Sequence, residues 1–266
     1  MVVVVVAAGL AVWQPWKPCG NGMTTIEPSP HCVGIDVDNT SFGDSDATRD
    51  LRKHINDHNA TVAAPDFVTV VVLDNMTPNA RFDSISADNV KHGVAGALTA
   101  ASRANNEPVA KATSPQVKLK LANYGATNDE AVAAARAIID ARERERIVAV
   151  VGLGQSMDHT RLAASMLSEA GLAVVSGMAS ADNMNRSFNG NPAYIEHFYR
   201  ITPTNIDAAK AAVGFLETRP VGKLLLVHDT NQSDIYSGTL ADAFRGAYRE
   251  KFNRAPGEQP FDSRPI

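Results

Sequence analysis

The segment FVTVVVL, residues 67–73, is a nearly continuous apolar run. Such runs are typical of β-strands that are covered on both faces, as in parallel sheets. After a polar loop, Ser86 can cap a helix whose apolar residues recur at spacings of four, four and three between Val90 and Ala101. This part of the chain therefore predicts one strand followed by one amphipathic helix.

The same strand-and-helix unit recurs along the chain, which predicts right-handed crossovers, a parallel sheet and a doubly wound α/β fold. The last residues, 261–266, fall where a further strand is expected, so the polypeptide is predicted to be truncated. Further strands are predicted at 32–37, 117–122, 147–152, 172–176, 197–201 and 224–228. Further helices are predicted at 46–58 and 237–251. One helix is predicted to begin at the capping box of Thr127 and another at Thr204, and a fifth carries Leu162, Met166 and Ala170.

Composition places the chain among globular proteins. Its 266 residues are 44% hydrophobic and 20% charged, values that argue against a mostly disordered chain. The 25 Lys and Arg residues against 29 Asp and Glu give a net charge of −4, without a basic stripe. Nucleic acid is therefore not expected as a partner.

The N-terminal run MVVVVVAAGLAVW, residues 1–13, carries no charge and ends close to Trp13, Trp16 and Lys17. An aromatic and basic belt at the end of an apolar run is typical of a membrane interface. We expect residues 1–18 to be a membrane-proximal segment, the last part of a membrane helix whose beginning lies outside this sequence. A buried β-strand is the alternative, since a Val-rich run also fits one.

The two cysteines, Cys19 and Cys32, lie just beyond that run, in an N-terminal extension over 19–66. A disulfide between them is predicted, and it would persist only in an oxidising compartment. Zinc is not expected, because these two cysteines and the nearby His31 supply too few ligands.

The motif GLGQS, residues 152–156, ends one predicted strand and leads toward a helix. As a dinucleotide fingerprint it lacks the third glycine, because Met157 follows. As a nucleophile elbow it has Asp158 where the second glycine belongs. Neither nucleotide binding nor serine hydrolysis is therefore favoured, although both remain the enzymatic alternatives.

The same motif is suited to binding an anion. Backbone N–H groups at Ser156 to Asp158 lie at a helix N-terminus, and the Ser156 hydroxyl adds a donor. A second serine-bearing turn, residues 176–180, follows the adjacent strand. In open parallel sheets, ligands bind outside the carboxyl ends of the strands, so a small carboxylate is expected there. The alternative is that Ser156 only caps the helix.

Several segments together resemble the type I periplasmic solute-binding proteins, most closely the branched-chain amino acid branch. The similarity covers 67–252, whereas the extension before it looks like that of membrane-anchored actinobacterial relatives. The segments that carry the resemblance are NDEAVAAAR (128–136), VVG (150–152) with Ser156, AGLAVVS (170–176) and FYRITP (198–203).

The resemblance implies a first lobe over 67–202 and part of a second over 203–266, which close on a small ligand about residues 201–203. It implies no covalent chemistry and no cofactor. The implied ligand is amino acid-like, and the implied partner is an ABC permease or a membrane sensor on the extracellular side. A hydrolase-like or nucleotide-binding enzyme, or a decayed regulatory module, is the alternative.

The resemblance also implies a role for individual residues. Ser156 would meet the ligand carboxylate, the Ala179 carbonyl and Ser180 hydroxyl the ammonium, and Tyr236 would cover the ligand from the second lobe. The acidic residue that the family usually places against the ammonium is absent from the expected position. Gly154 and Gln155 would line the pocket beside Ser156.

Overall fold

The structure is a computed structural model that describes residues 19–62, 66–79, 83, 85–107, 115–187, 193–219 and 222–263. The apolar segment 1–18, with its expected membrane helix, lies outside these residues. Within the described ranges, no helix is both long enough and apolar enough to cross a bilayer.

The described residues form two units. The first consists of β1 (Met23–Thr25), β2 (Cys32–Ile35), a short 3₁₀ turn (Arg49–Leu51), α1 (Arg52–Ala60), β3 (Phe67–Asp74), α2 (Ala87–Asn106), β4 (Gln116–Asn123), α3 (Asn128–Glu145), β5 (Ile147–Gly152), α4 (Asp158–Glu169), β6 (Ala173–Ser176) and β7 (Phe198–Arg200). The second consists of α5 (Asn205–Glu217), β8 (Leu225–Asp229), α6 (Ile235–Phe252) and β9 (Gly257–Phe261).

The first unit is built on a sheet with strand order β1-β2-β4-β3-β5-β6-β7. Strands β3 to β7 run parallel, and β1 and β2 extend the β4 edge antiparallel. The predicted apolar run is β3, which lies at the centre and pairs with β4 on one side and β5 on the other. The chain order therefore reverses at β3 and β5, and this switch point is where such sheets bind ligands.

Helices cover both faces of this sheet. One buried cluster joins α3 and α4 to the sheet through Ala135, Ile138 and Leu167, and another includes Val90 and Val94 of α2. Three helices begin as their sequences predict, with complete capping boxes at Ser86, Thr127 and Thr204. The doubly wound α/β fold is therefore confirmed.

The N-terminal extension is held together by a disulfide and by buried ion pairs, and β2 joins it to β4 of the sheet. Cys19 and Cys32 form a disulfide, the pairing expected from the sequence. The buried guanidinium of Arg52 forms ion pairs with Asp36 and with Asp46. A buried cation needs such partners, because its hydration is lost on folding.

The second unit is a two-stranded parallel sheet of β8 and β9 packed with α5 and α6. The strand expected at 261–266 has already formed at Gly257–Phe261. The alternation of strands and helices indicates a strand near here, but the hydrophobic pattern does not locate β9, because every residue of the strand is exposed and it includes Pro260. Leu225 and Val227 of β8 are also exposed.

Candidate functional site at the sheet switch point

The loop after β5 turns sharply at the switch point. Gly152, Leu153 and Gly154 have φ angles of 104°, 64° and 51°, all in the left-handed region. Leu153 pays a steric cost there, because it carries a Cβ. Its side chain is fully buried, and its amide donates to the carbonyl of Leu73 at 2.7 Å, so packing holds the loop in this shape.

Gly154 packs directly over two buried polar side chains. A Cβ at this position would lie 2.6 Å from Asp74 Oδ1 and closer still to the Tyr124 hydroxyl, so no larger residue fits. Asp74 Oδ1 accepts from the Asn75 amide at 2.8 Å and from the Tyr124 hydroxyl at 3.3 Å. Burial raises the pKa of Asp74 to about 6, and it lowers the pKa of His159, whose ring centroid lies 5.4 Å from that of Tyr124.

Ser156 joins the two turns that the sequence singles out. Its side chain is 1% exposed, and its Oγ accepts from the Ala181 amide at 3.1 Å. Helix α4 has Met157 as its N-cap, and the Met157 amide donates to Thr160 Oγ1 at 3.0 Å. The alternative that Ser156 only caps the helix is therefore wrong.

The turn after β6 is held by side chains of its own strand and of the next. Ser176 Oγ accepts from the Ala179 amide at 3.0 Å, and Ala179 is fully buried. Arg200 Nη1 donates to the carbonyl of Ala181 at 2.7 Å and approaches that of Ala179 at 3.5 Å. The carbonyl expected to receive a ligand ammonium therefore already faces a guanidinium, and Ser180 beside it is partly buried.

The second unit meets these turns through the start of α6. Met157 and Asp234 form an antiparallel bridge, in which the Asp158 amide donates to the carbonyl of Ser233 at 3.2 Å. The Tyr236 amide donates to the carbonyl of Ser156 at 3.1 Å, and the Tyr236 side chain is 43% exposed. The structure thus brings the Ser156 turn, the Ser180 turn and Tyr236 together. In this arrangement several of their polar groups bind one another.

A cleft of about 540 Å³ lies beside this contact and is shared by the two units. Its size is within the usual range for small-molecule sites. Asp158, Arg161 and Asn183 line it from the first unit, and the buried acceptor Asn183 Oδ1 has no hydrogen-bond partner within the part of the chain that the structure describes. From the second unit, the lining includes Asp229, Thr230, Asn231, Gln232, Asp234, Ile235, Thr239, Asp242 and Arg245.

The acidic residues that line this cleft from the second unit, Asp229, Asp234 and Asp242, were not predicted from the sequence. Asp229 ends β8, a position that the same strand-end rule could have selected. Burial pushes the pKa of Asp229 up, but hydrogen bonds from Ser263 and the Asn231 amide outweigh it and hold that pKa below its ordinary value. Asp234 accepts from the Ser237 amide at 3.1 Å and so caps α6. Among the described residues, no group of three His, Cys, Asp or Glu could hold a metal ion.

No protein-family model matches this sequence, and no curated protein matches it. Solved structures do. An ABC transporter substrate-binding protein from Desulfitobacterium hafniense is 20% identical, with a TM-score of 0.52. An ABC transporter substrate-binding protein from the same organism, crystallised in complex with Leu, is 21% identical with a TM-score of 0.53. Each match covers 76% of this chain. The chain spans about half the length of these proteins, 51% in each case, and shares their fold over that part.

Proposed function

We propose that this chain is the ligand-binding part of an extracytoplasmic solute-binding protein. It takes a small polar ligand, of amino acid type, between a first lobe over 67–202 and a second lobe that begins at 203. In this proposal the segment 1–18 tethers the protein to the cell membrane, and the extension 19–66 and the lobes face outward. It serves an ABC permease or a membrane sensor.

The observation that carries this proposal is the meeting of three ligand-type elements at one point. The Ser156 turn and the Ser180 turn follow neighbouring parallel strands, and the Ala181 amide bonds to Ser156 Oγ across them. The start of α6 arrives from the second unit and contacts the Ser156 turn. Ligands of doubly wound sheets bind at this edge, and two-lobed binders hold them between lobes.

The proposed ligand competes with contacts that the lobes now make with each other. Opening about residues 201–203 frees the Asp158 amide from Ser233 and the Ser156 carbonyl from Tyr236. The ligand carboxylate then bonds to the Ser156 hydroxyl and the amides that follow it. The ammonium is held by the Ser180 hydroxyl and by the Ala179 carbonyl, from which Arg200 Nη1, now 3.5 Å away, has to withdraw. The Tyr236 ring covers the ligand. Gly154 and Gln155 complete the wall of the pocket.

Two further observations support the proposal. The disulfide between Cys19 and Cys32 suits an oxidising compartment outside the cytoplasm. One of the proteins that share this fold was crystallised with Leu, and the similarity covers about half of that protein's length.

Thermal unfolding in a panel of amino acids, amides, sugars and purines tests the proposal. A ligand at about 100 times its Kd stabilises the fold by about 2.7 kcal/mol, which raises Tm by several degrees. Ser156→Ala should weaken binding of a carboxylate ligand by about 1–3 kcal/mol, the cost of an unpaired buried group.

Ser168→Ala is the matched control, because Ser168 is also buried in the first unit and its Oγ also accepts a backbone amide, that of His197 at 3.0 Å. Equal losses of ligand stabilisation in both variants would remove Ser156 from the site. A panel without a single stabilising compound would contradict ligand binding itself.

A further inference from the structure

Asn205 is a buried polar residue that helix formation does not require. It is the first residue of α5 and is 1% exposed. The helix is already capped by its neighbour, because Thr204 Oγ1 accepts from the Asp207 amide and the Asp207 carboxylate accepts from the Thr204 amide. Burying a carboxamide is costly unless its hydrogen bonds are satisfied. Capping of the helix therefore does not explain why the side chain of Asn205 is buried.

Asn205 finds its partners outside α5. Its side-chain Nδ2 donates to the carbonyl of Tyr236 at 2.9 Å and to Thr239 Oγ1 at 2.8 Å, both in the first turns of α6. Its backbone amide donates to the carbonyl of Ser180 at 2.9 Å. One residue thus binds a turn of the first unit with its backbone and a helix of the second unit with its side chain.

These bonds close a ring around the candidate site. The Asn205 amide bonds to Ser180, the next amide along that turn, Ala181, bonds to Ser156 Oγ, and the Ser156 carbonyl accepts from the Tyr236 amide. The Tyr236 carbonyl accepts from Asn205 Nδ2, which returns the ring to its start. A carboxamide suits this place, because its NH₂ group supplies two donors to two acceptors of the same helix.

We propose that Asn205 is a positioning residue, whose side chain fixes the start of α6 against the two serine turns. Loss of its Nδ2 donors removes one hydrogen bond from the Tyr236 carbonyl and one from the Thr239 hydroxyl, which still donates to the carbonyl of Ile235 at 2.8 Å within α6. The first turn of α6 then loses its side-chain tie to α5 and separates more easily from the Ser156 turn. The link to ligand binding rests on the proposed function, whereas the link between the two units does not.

Hydrogen–deuterium exchange of the full chain, read by mass spectrometry, tests this without a ligand. Asn205→Asp keeps the size and removes the donors, and Asn205→Leu removes all side-chain polarity. In both variants, peptides covering 156–160 and 233–239 should exchange at least about tenfold faster, because the Asp158 and Tyr236 amides lose protection. A peptide within α3 should be unchanged.

Thr204→Ala is the control, because it weakens the start of the same helix and leaves the bonds of Asn205 in place. Unchanged exchange at 156–160 and 233–239 in both Asn205 variants would overturn the proposal. So would equal acceleration in Thr204→Ala, because Asn205 would then act only through the stability of α5.

Isothermal calorimetry with L-leucine as the probe separates this inference from the proposed function. Where the wild-type chain binds leucine, the Asn205 variants should bind at least about tenfold more weakly, and Thr204→Ala within about twofold of wild type. Unaltered affinity in the Asn205 variants would refute a positioning role at the site. Failure of the wild-type chain to bind leucine would count against the proposed function alone, since the exchange experiment still decides whether Asn205 links the units.

Discussion

Replacing Asp74 by Asn should make the fold more stable at neutral pH. Asp74 ends β3, is buried, and has one amide and one hydroxyl as its hydrogen-bond donors. Burial raises its pKa from 3.8 to about 6. A tenfold change in proton affinity corresponds to about 1.4 kcal/mol, so keeping this carboxylate ionised inside the fold costs about 3 kcal/mol.

The sign follows from where the proton is held. Between about pH 4 and pH 6 the folded protein keeps the Asp74 proton and the unfolded chain does not. The contribution of this group to the free energy of unfolding is therefore largest at acid pH, falls as pH rises to about 6, and is level above that. Asn cannot ionise, so the stability of Asp74→Asn relative to wild type should increase by about 2.4 kcal/mol between pH 4 and pH 7, out of about 3 kcal/mol over the whole titration.

Urea denaturation followed by far-UV circular dichroism at several pH values measures this difference. Asp46→Asn is a control of opposite sign. Burial pushes the pKa of Asp46 up, but the Thr48 hydroxyl and the charge of Arg52 outweigh it and hold that pKa below its ordinary value. Asp46→Asn should therefore lose stability relative to wild type as pH rises through the pKa of Asp46. A difference between Asp74→Asn and wild type that does not vary with pH would refute the reasoning.

Three further predictions concern packing and covalent structure. Gly154→Ala should destabilise the fold by about 1–3 kcal/mol in urea denaturation, because the new Cβ would collide with Asp74 and because φ is positive at this position. The control is Gly93→Ala in α2, where the added Cβ meets open space and the effect should be neutral or stabilising. Equal effects of the two substitutions would contradict this prediction. Arg52→Met should cost about 3–5 kcal/mol in the same assay, because it leaves two carboxylates buried without their cation, and a loss under 1 kcal/mol would argue against that. Both cysteines should resist thiol labelling until a reductant is added, and immediate labelling would speak against export.

Much of the fold is predictable because short stretches of sequence determine it. The apolar run of β3 and the capping residues Ser86, Thr127 and Thr204 each need only a few neighbouring residues to be recognised. The position of strand β9 cannot be predicted in this way, because an exposed polar strand has no hydrophobic pattern. Helix α4 forms where Leu162 and Met166 indicate it, and Met166 is partly buried against the core. The fully buried residues of this helix include Ala163, Ala164 and Leu167, and its small residues let α4 pack closely on α3.

The site is predictable only within the first unit. That the Ser156 and Ser180 turns lie side by side follows from the order of parallel strands, and the Ala181 bond to Ser156 agrees with it. That Met157 and not Ser156 is the N-cap of α4 is not predictable from the local sequence, because Ser is a preferred N-cap residue and Met is not. The contacts of the Ser156 turn with Tyr236 depend on how the two units pack against each other. The hydrophobic periodicity of the sequence does not predict this packing. The contacts of Asn205 with α6 are not predictable either, because its position directly after the N-cap Thr204 carries no signal of them.

The disulfide determines how tension would travel through the molecule. Residues 1–18 enter the described structure at Cys19, and the bond to Cys32 connects that point directly to β2. A pull on the N-terminus therefore bypasses β1 and loads β2, which is paired with β4 in the large sheet. With the bond reduced, the same force acts first on β1, whose three residues pair only with β2 among the described strands. A redox change at one bond thus decides whether load on the N-terminus reaches β2 directly or first tests the short pairing of β1.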